Sequence, residues 1–249
     1  MQASSKDNTG WRFAVIGLTL AVLCVLAAMA SGLGYRAGFW HFRTGFLVLR
    51  SAAFAALAAG VIALLGIILS RGARRALIAG AIGVVIALAF VYVPWQWKRT
   101  LDALPYIHDI TTDTDNPPAF VAAEKLRKEG DHPVAYDGPE VAAQQKQAYP
   151  DIAPLITPAS KDKVFAAAQR VIENMGMKLT GADLASGRLE ATDTSFWYGF
   201  TDDFVVRITE AAQGTRVDVR SKSRVGRSDL GQNAKRVRAF LAKLRHDLQ

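Results

Sequence analysis

The sequence predicts an α+β domain that three apolar helices anchor to a membrane. Three observations lead to this fold class. Long apolar runs fill the first hundred residues, and the later chain combines amphipathic helical stretches with strands of alternating polarity. The charges divide in the same way, because residues 1–100 carry ten Lys or Arg and one acid, whereas residues 101–249 carry twenty basic and twenty-one acidic side chains.

Three apolar runs have the length of membrane spans. Residues 13–33 contain no charged side chain, and a helix of 21 residues at about 1.5 Å per residue matches a hydrocarbon core of about 30 Å. Residues 46–69 form a second run in which only Arg50 is charged, and residues 76–93 form a third. We expect a three-helix transmembrane region over residues 1–100, with spans at about 13–33, 46–69 and 76–93.

Tryptophans stand beside basic residues near the ends of these runs. Trp and Tyr rings collect at the membrane–water interface, where Lys and Arg favour anionic headgroups. We therefore expect interfacial anchors at Trp11, Trp40, Trp95 and Trp97. The lipid bilayer is the first partner that the sequence predicts, and the oligomeric state stays open.

The positive-inside rule alone does not orient the spans, because five basic residues flank each side. They are Lys6, Arg12, Arg71, Arg74 and Arg75 on one side, and Arg36, Arg43, Arg50, Lys98 and Arg99 on the other. The densest cluster is the arginine-rich turn at residues 71–75, which favours the cytoplasm. We expect a multi-pass membrane protein with the N-terminus inside and the C-terminal domain facing outward.

The chain after residue 100 divides by composition. Residues 101–158 are rich in proline and short on periodicity, which predicts an extended wrapping segment. One short helix is expected in this segment, from Asn116 as N-cap to Gly130. Residues 159–249 carry the periodic pattern of an α+β core.

Two amphipathic helices and four strands are predicted in this core. The first helix begins after Ser160 and ends at Gly176, and the second follows Ser228. The candidate strands are residues 177–180, 188–193, 204–209 and 215–223. We expect a four-stranded antiparallel meander with both helices on one face. Because Val217 and Val219 alternate with charged residues, the other face is expected to meet water.

The approach to the final helix is a candidate anion site. Its residues are Arg220, Arg224, Arg227, Ser228 and Asn233. Guanidinium groups beside the amides of a helix N-terminus would hold a phosphate or carboxylate, such as a lipid headgroup or an acidic envelope polymer. The structural alternative is that Ser228 caps the helix and Asp229 complements its dipole.

Two acidic stretches are a candidate cation site. Its residues are Asp113, Asp115, Asn116, Asp193 and Asp203. Carboxylate and amide oxygens suit a hard cation, and paired carboxylates can act as acid and base. A metal-dependent hydrolase that uses Asp113, Asp115, Asp193 and Asp203 is therefore one hypothesis. The structural alternative is an Asx turn before a helix, and no cofactor is predicted.

Aromatic residues cluster at positions 196–200, where Phe196, Trp197, Tyr198 and Phe200 surround a glycine. We expect buried packing against the wrapping segment, with a ligand-stacking surface or contact with the bilayer as alternatives. The three histidines after residue 100 show no helical ligand spacing to one another.

Three stretches of the later chain stand out as motifs. They are Asp113-Thr-Asp-Asn-Pro-Pro-Ala-Phe120, Asp193-Thr-Ser-Phe-Trp-Tyr-Gly-Phe-Thr-Asp-Asp203, and Ser223-Arg-Val-Gly-Arg-Ser-Asp-Leu-Gly-Gln-Asn233 with Arg236 and Phe240 beyond it. Together they resemble the signatures of the bacterial family called domain of unknown function 1499. The resemblance covers roughly residues 105–248. It implies membrane spans before the domain and, from chloroplast relatives taken to be lumenal, a domain that faces outward. For a member of a bacterial family, the expected location is the inner membrane, with the N-terminus inside and the C-terminal domain in the periplasm. It implies no catalytic residues.

The sequence favours a non-enzymatic, membrane-anchored protein whose outward domain binds an envelope component or a partner protein. The hydrolase described above is the alternative. A third hypothesis is a cytoplasmic domain whose last helix, with Lys235, Arg236 and Arg238, meets nucleic acid or anionic lipid. Because Cys24 is the only cysteine, a disulfide or a Cys-based metal site within one chain is excluded.

Overall fold

A computed structural model describes residues 3–249, with side chains from residue 9 onward. The side chain of Lys6, which was counted for orientation, lies outside the described residues. The chain divides into two compact units. The helical unit is the chain up to Thr100 together with Trp197–Gly199, and the sheet unit is residues 101–196 and 200–249.

Three long helices form the helical unit. They are α1 (Ala3–Arg36), α2 (Phe42–Leu69) and α3 (Arg74–Ala103). Each is long and apolar enough to cross a membrane, with a mean hydropathy of 2.6 over its most apolar stretch. The three-helix prediction is confirmed at this level, and the helices indicate a multi-pass membrane anchor.

Helix α3 continues through Pro94, where the sequence predicted the third apolar run to end. Proline has no backbone N–H and disfavours a helix interior. Nevertheless, the helix resumes after the proline and continues to Ala103. Beyond it, the Thr100 hydroxyl donates to the Gln96 carbonyl oxygen at 3.0 Å.

Small residues line the contacts between the three helices. Ala21 of α1, Ala59 of α2 and Ala87 of α3 are buried together in one cluster. Gly66 of α2 lies so near α1 that an added Cβ would stand 2.3 Å from the backbone nitrogen of Ala14. Side chains this small allow close backbone approach, which is how helices associate in lipid.

We expect Ala59→Leu to destabilise the helical unit by about 1–3 kcal/mol, because three added carbons cannot fit between closely packed helices. Ala58→Leu is the matched control, since Ala58 is the preceding residue of α2 and is exposed. Thermal unfolding of the detergent-solubilised protein, followed by size-exclusion chromatography, measures the difference. Equal melting temperatures for the two variants would contradict the packing described here.

The sheet unit is a six-stranded antiparallel sheet with four helices. The strands are β1 (Asp109–Thr111), β2 (Leu155–Thr157), β3 (Lys178–Asp183), β4 (Arg188–Thr194), β5 (Thr201–Ala211) and β6 (Gly214–Ser223). The helices are α4 (Ala122–Leu126), α5 (Pro139–Ala148), α6 (Lys161–Asn174) and α7 (Gln232–Asp247). The order is β1-β6-β5-β4-β3, and β2 pairs with β6 beside β1.

The predicted four-stranded sheet is wrong in its strand number. Strands β3 to β6 form the expected meander, and β1 and β2 add to the outer edge of β6. Asp109 pairs with Lys222 in register, and Leu155 pairs with Val217. Each added strand has only three residues, which is too short to show an alternating pattern within a proline-rich segment.

Helices α6 and α7 cover one face of the sheet, as predicted, and enclose the main hydrophobic core. Phe204 of β5 meets Phe240 of α7 edge to face, with ring centroids 5.1 Å apart. Ser160 caps α6 as expected, because its hydroxyl oxygen accepts the Lys163 amide at 3.4 Å. The α6 helix therefore begins and packs where its apolar period predicts.

The start predicted for α7 is wrong by three residues, since its N-cap is Gly231 rather than Ser228. Leu230 and Gly231 have positive φ angles of 55° and 76°, which interrupt a helix. The Asp229 carboxylate holds this turn by accepting the Gly231 and Asn233 amides at 2.9 and 2.6 Å. Asp229 supplies the side-chain hydrogen bonds that the sequence analysis assigned to Ser228.

Residues 101–158 are not uniformly extended. The helix expected from Asn116 to Gly130 shrinks to α4, because an Asx turn comes first: Asp113 Oδ1 accepts the Asp115 and Asn116 amides at 3.2 and 2.9 Å. Two prolines then disfavour helical backbone before them. Helix α5 was not predicted. It buries only Ala142 and Gln145, so it leaves no apolar stripe in the sequence.

Candidate functional site

The sheet has a second face, opposite α6 and α7. Because side chains alternate along a strand, every second residue of β5 and β6 points to this face. Six charged side chains there are 2% exposed or less, and together we call them the ionic layer: Asp109, Glu190, Asp203, Asp218, Arg220 and Lys222. A charge removed from water is destabilising unless it is paired and hydrogen-bonded.

The expectation that this face meets water is wrong. Residues 112–137, which we call the covering segment, bond to the ionic layer along its length. Phe120, Ala123 and Val134 of this segment pack with Val205 of β5 in a small apolar cluster on the same face. Alternation along a strand indicates which side chains share a face, but it does not indicate what covers them.

Asp109 is the centre of the ionic layer. Its two carboxylate oxygens accept from Arg220 Nε and Nη2 at 2.8 and 2.7 Å, and Lys222 Nζ lies 3.2 Å from Oδ2. Lys222 Nζ also donates to Asp137 Oδ1 at 2.7 Å and to the Ala135 carbonyl oxygen at 2.6 Å. One strand-end carboxylate therefore pairs two buried cations.

Arg220 links the layer to the covering segment. Its guanidinium donates to the carbonyl oxygens of Pro118 and Val134 at 3.2 and 2.9 Å. The guanidinium carbon lies 4.8 Å from the ring centroid of Phe120 and 5.4 Å from that of Tyr136. These contacts combine hydrogen bonding with cation–π attraction, so Arg220 stabilises both ends of the segment.

Asp203 and Asp218 each pair with two arginines. Asp203 accepts from Arg224 at 2.8 Å and lies 2.9 Å from Arg127, which belongs to the covering segment. Asp218 lies 3.0 Å from Arg207 and 2.9 Å from Arg216. In each case one arginine, Arg224 or Arg216, donates through two N–H groups to the two oxygens of the carboxylate. Such bidentate pairs are among the strongest hydrogen-bonded contacts that arginine makes.

Glu190 fixes helix α4. Its carboxylate accepts the backbone amides of Val121, Ala122 and Ala123 at 2.9, 3.0 and 3.0 Å. These amides have no partner within the helix, because they belong to its first turn. A side chain from β4 thus caps a helix that lies 67 to 69 residues earlier in the chain.

Two histidines stack at one end of the layer. The rings of His108 and His132 lie 4.1 Å apart, and His108 Nε2 is 3.3 Å from Asp137. Burial first, and then the neighbouring His132, lower the pKa of His108 below its ordinary value of 6.5. Burial also raises the pKa of Tyr136 to about 12.

The comparison with known families bears on this whole arrangement. A family model described as "Protein of unknown function (DUF1499)" matches residues 109–244. The chain belongs to the DUF1499 family. The match begins at Asp109 and includes all three sequence motifs, β1 to β6 and the ionic layer. No curated protein matches the chain.

The DUF1499 domain does not assemble the predicted cation site. Asp193 and Asp203 lie on opposite faces of the sheet, because Asp193 opposes Asp202 in register and Asp203 is the next residue. Asp193 and Asp202 both accept from Arg236, at 2.7 and 2.8 Å.

The remaining members of that set also have other surroundings. Asp113 forms the Asx turn and accepts from Arg207 and Arg216 at 3.2 and 2.9 Å. Asp115 is exposed beside Lys146, and Asn116 is exposed. Within residues 9–249, whose side chains the structure describes, no group of three or more His, Cys, Asp or Glu side chains is placed to hold a metal ion.

The DUF1499 domain also divides the predicted anion site. Arg220 and Arg224 are paired with the buried acids Asp109 and Asp203, whereas Arg227 is exposed. Ser228 Oγ accepts the Leu230 amide at 3.4 Å. Asn233 is buried on the core side, where its Nδ2 donates to the His108 carbonyl oxygen and to Ser223 Oγ, at 2.9 and 3.0 Å. The five residues do not face one point.

The four predicted tryptophan anchors have defined neighbours within the helical unit. Arg75 lies 5.3 Å from the Trp11 ring and Arg99 lies 5.0 Å from the Trp95 ring. Trp40 Nε1 donates to the Ser31 carbonyl oxygen at 3.0 Å. Trp97 lies 5.8 Å from Trp197, as described further below. We expected Trp197 and Tyr198 to pack against the wrapping segment, but they belong to the helical unit.

Sequence analysis did not single out Asp109, Glu190, Asp218 or Lys222 as site residues. A signal for them exists in β6, where Arg216, Asp218, Arg220 and Lys222 occupy one face of the strand. Three of these four side chains are basic. If that face is buried, acids from elsewhere in the chain must pair with them.

We expect Asp109→Ala to lower the free energy of unfolding of the DUF1499 domain by about 3–5 kcal/mol, because Arg220 and Lys222 would stay buried without their shared carboxylate. Hydrogen–deuterium exchange of β5 and β6 in the full-length protein measures this loss. Asp151→Ala is the control: Asp151 pairs with Arg238 at 2.6 Å at the surface, where such pairs contribute about 1 kcal/mol or less. Equal effects would contradict the central place of Asp109.

The His108 pair predicts a pH dependence of stability. Because the pKa of His108 is lower in the folded state, the unfolded chain binds more protons below pH 6.5. The stability that depends on a neutral His108 is therefore fully present at neutral pH and is lost as the pH falls from 6.5 to the pKa of His108 in the folded state. The loss is about 1.4 kcal/mol for each unit by which folding lowers this pKa. His132, Asp137, Lys222 and Asp109 are the charged or titratable groups around this ring.

His108→Gln tests this dependence, because glutamine keeps a donor beside Asp137 but does not titrate. The opening free energy of β6, measured by hydrogen exchange at pH 7 and pH 5 and corrected for intrinsic rates, should fall less in the variant than in the wild-type protein. An identical fall in both proteins would show that His108 does not contribute.

Proposed function

We propose that this protein is a membrane-anchored binding module of the bacterial inner membrane. In this proposal the N-terminus is cytoplasmic, and the DUF1499 domain lies in the periplasm, where it binds an envelope component or a partner protein. The anchor is supported by the three apolar helices. The orientation is supported by the dense arginine turn at residues 71–75 and by the outward domain that the family resemblance implies.

The observation that carries the binding proposal is the commitment of the charged groups to one another. Of the four aspartates that a hydrolase would use, Asp113, Asp193 and Asp203 are held by arginines, and Asp115 lies beside Lys146. The oxygens of the first three already accept hydrogen bonds from guanidinium groups, so a metal ion or a substrate would have to displace these contacts. The same pairs fix the covering segment, and a fixed surface is suited to recognition because little order is lost on binding.

A groove beside β3 is the candidate binding surface. It encloses about 420 Å³ between α4 and β3, and β3 is the last strand of the sheet on that side. Its lining residues are Val121, Ala122, Lys125, Leu126, Thr180, Gly181, Ala182, Asp183, Arg188 and Glu190. Val121 and Leu126 expose apolar surface there. Thr180 Oγ1 is buried and has no hydrogen-bond partner among the described residues, so a bound polar group would satisfy it.

The basic face of α7 supports binding to nucleic acid less well. Arg236 is engaged by Asp193 and Asp202, and Arg238 is engaged by Asp151. Of the three basic residues considered for this role, Lys235 is the exposed one for which no acidic partner is seen among the described residues. A single lysine provides little of the phosphate neutralisation on which such binding depends.

We expect a photo-crosslinking amino acid at Ala182 to capture a defined product in living cells, because Ala182 lines the β3 groove. The matched control is Ala166, an exposed alanine of α6 on the opposite side of the sheet. A product of the same mass from both positions, or from neither, would contradict binding at this groove. Hydrolysis of a substrate panel by the purified protein, abolished by Asp193→Asn, would favour the enzyme hypothesis instead.

A C-terminal alkaline phosphatase fusion tests the orientation separately, because this reporter folds only outside the cytoplasm. We expect an active fusion after Gln249 and an inactive one in the turn at residues 71–75. The reverse pattern would place the DUF1499 domain in the cytoplasm and overturn that part of the proposal.

A further inference from the structure

Three residues of the β4–β5 loop belong to the helical unit, namely Trp197, Tyr198 and Gly199. Trp197 Nε1 donates to the Met29 carbonyl oxygen at 3.1 Å, and its ring lies 5.8 Å from that of Trp97. The Tyr198 hydroxyl is 2.9 Å from Ser31 Oγ in a buried contact. The tip of the loop, residues 197–199, is therefore packed into the helical unit through specific hydrogen bonds.

The partners of the loop tip all lie at one end of the apolar runs. Met29 and Ser31 are close to the end of the first run, and Phe46, whose ring is 5.1 Å from that of Tyr198, begins the second. Trp97 follows the third run. Since the ends of apolar runs mark the bilayer boundary, Trp197 and Tyr198 lie at one membrane–water interface.

Two phenylalanines close in sequence to these residues are exposed to an unusual degree. Phe39 is 79% exposed in the α1–α2 connection, and Phe196 is 85% exposed directly before Trp197. These are the two highest exposed fractions among the large apolar residues that the structure describes. Both lie outside the apolar runs, so contact with acyl chains along a span does not account for them.

Basic residues surround the same boundary. Arg36 is near Phe39 in sequence and packs against Gly199, where an added Cβ would lie 3.1 Å from its Cγ. Arg43, Lys98 and Arg99 flank the runs on this side. Aromatic rings together with Lys and Arg are the residue types that favour the headgroup layer of a bilayer.

We propose that Phe39 and Phe196 insert into the headgroup layer of the bilayer, so that the β4–β5 loop is a second, monotopic contact of the protein with lipid. The proposal rests on the membrane placement of α1 to α3. It does not depend on which side the DUF1499 domain faces, or on what that domain binds. Its partner is the lipid surface itself.

Depth-dependent quenching in nanodiscs tests the proposal with the full-length protein. Cys24 is the only native cysteine, so Cys24→Ala provides a background for single labels. An environment-sensitive fluorophore is attached to Phe196→Cys, and the nanodiscs contain phosphatidylcholine, phosphatidylglycerol and a lipid with a nitroxide near its headgroup. We expect the fluorescence to fall by about half, because an inserted apolar side chain lies about 5–10 Å into the headgroup and acyl boundary.

Two further labelled positions make the outcome decisive. Leu184→Cys is the matched control, since Leu184 is an exposed apolar residue in the β3–β4 turn and should show little quenching. Leu47→Cys reports on α2, because Leu47 is exposed at the same end of the second run as Phe46 and lies within reach of a nitroxide near the headgroup. Quenching at 47 but no more quenching at 196 than at 184 would overturn the loop contact alone. A lack of quenching at 47 would overturn the membrane placement and the proposal with it.

Discussion

The DUF1499 domain depends on one buried carboxylate, that of Asp109, which holds Arg220 and Lys222 together on the second face of the sheet. Without this carboxylate, two adjacent cations would remain where water cannot reach them. With it, β1 is joined to β6 by side chains as well as by backbone, and Arg220 and Lys222 are held where they bond the covering segment. The proposed binding surface depends on this segment, because its helix α4 forms one wall of the β3 groove.

The ionic layer pairs six charged side chains inside the domain. Its acidic and basic groups satisfy one another and the backbone of the covering segment. Buried ion pairs of this kind contribute little net stability compared with apolar packing, although losing one partner is strongly destabilising. Such a layer therefore fixes one arrangement of the segment, which is the property that a recognition surface needs.

The sequence predicted the elements in which apolar residues form a long run or recur with a helical or strand period. The apolar runs, helix α6 and strands β3 to β6 all follow from local patterns, and the structure confirms them. The ionic layer could not be predicted in this way, because its pairs join distant residues: Asp109 and Arg220 are 111 positions apart. Two members of the candidate cation site are separated for a related reason, since successive side chains of a strand point to opposite faces and Asp193 and Asp203 therefore lie on different faces of the sheet.

Strand β5 separates two incompatible environments by a single residue. Asp203 belongs among arginines, and Phe204, the next residue, belongs against Phe240 in the core. An insertion or deletion of one residue within this strand would exchange the side chains of its two faces. Carboxylates would then lie in the apolar core and aromatic rings among the buried charges. Natural variation in chain length should therefore accumulate in turns, such as the β5–β6 turn at Gln213, and not within β5 itself.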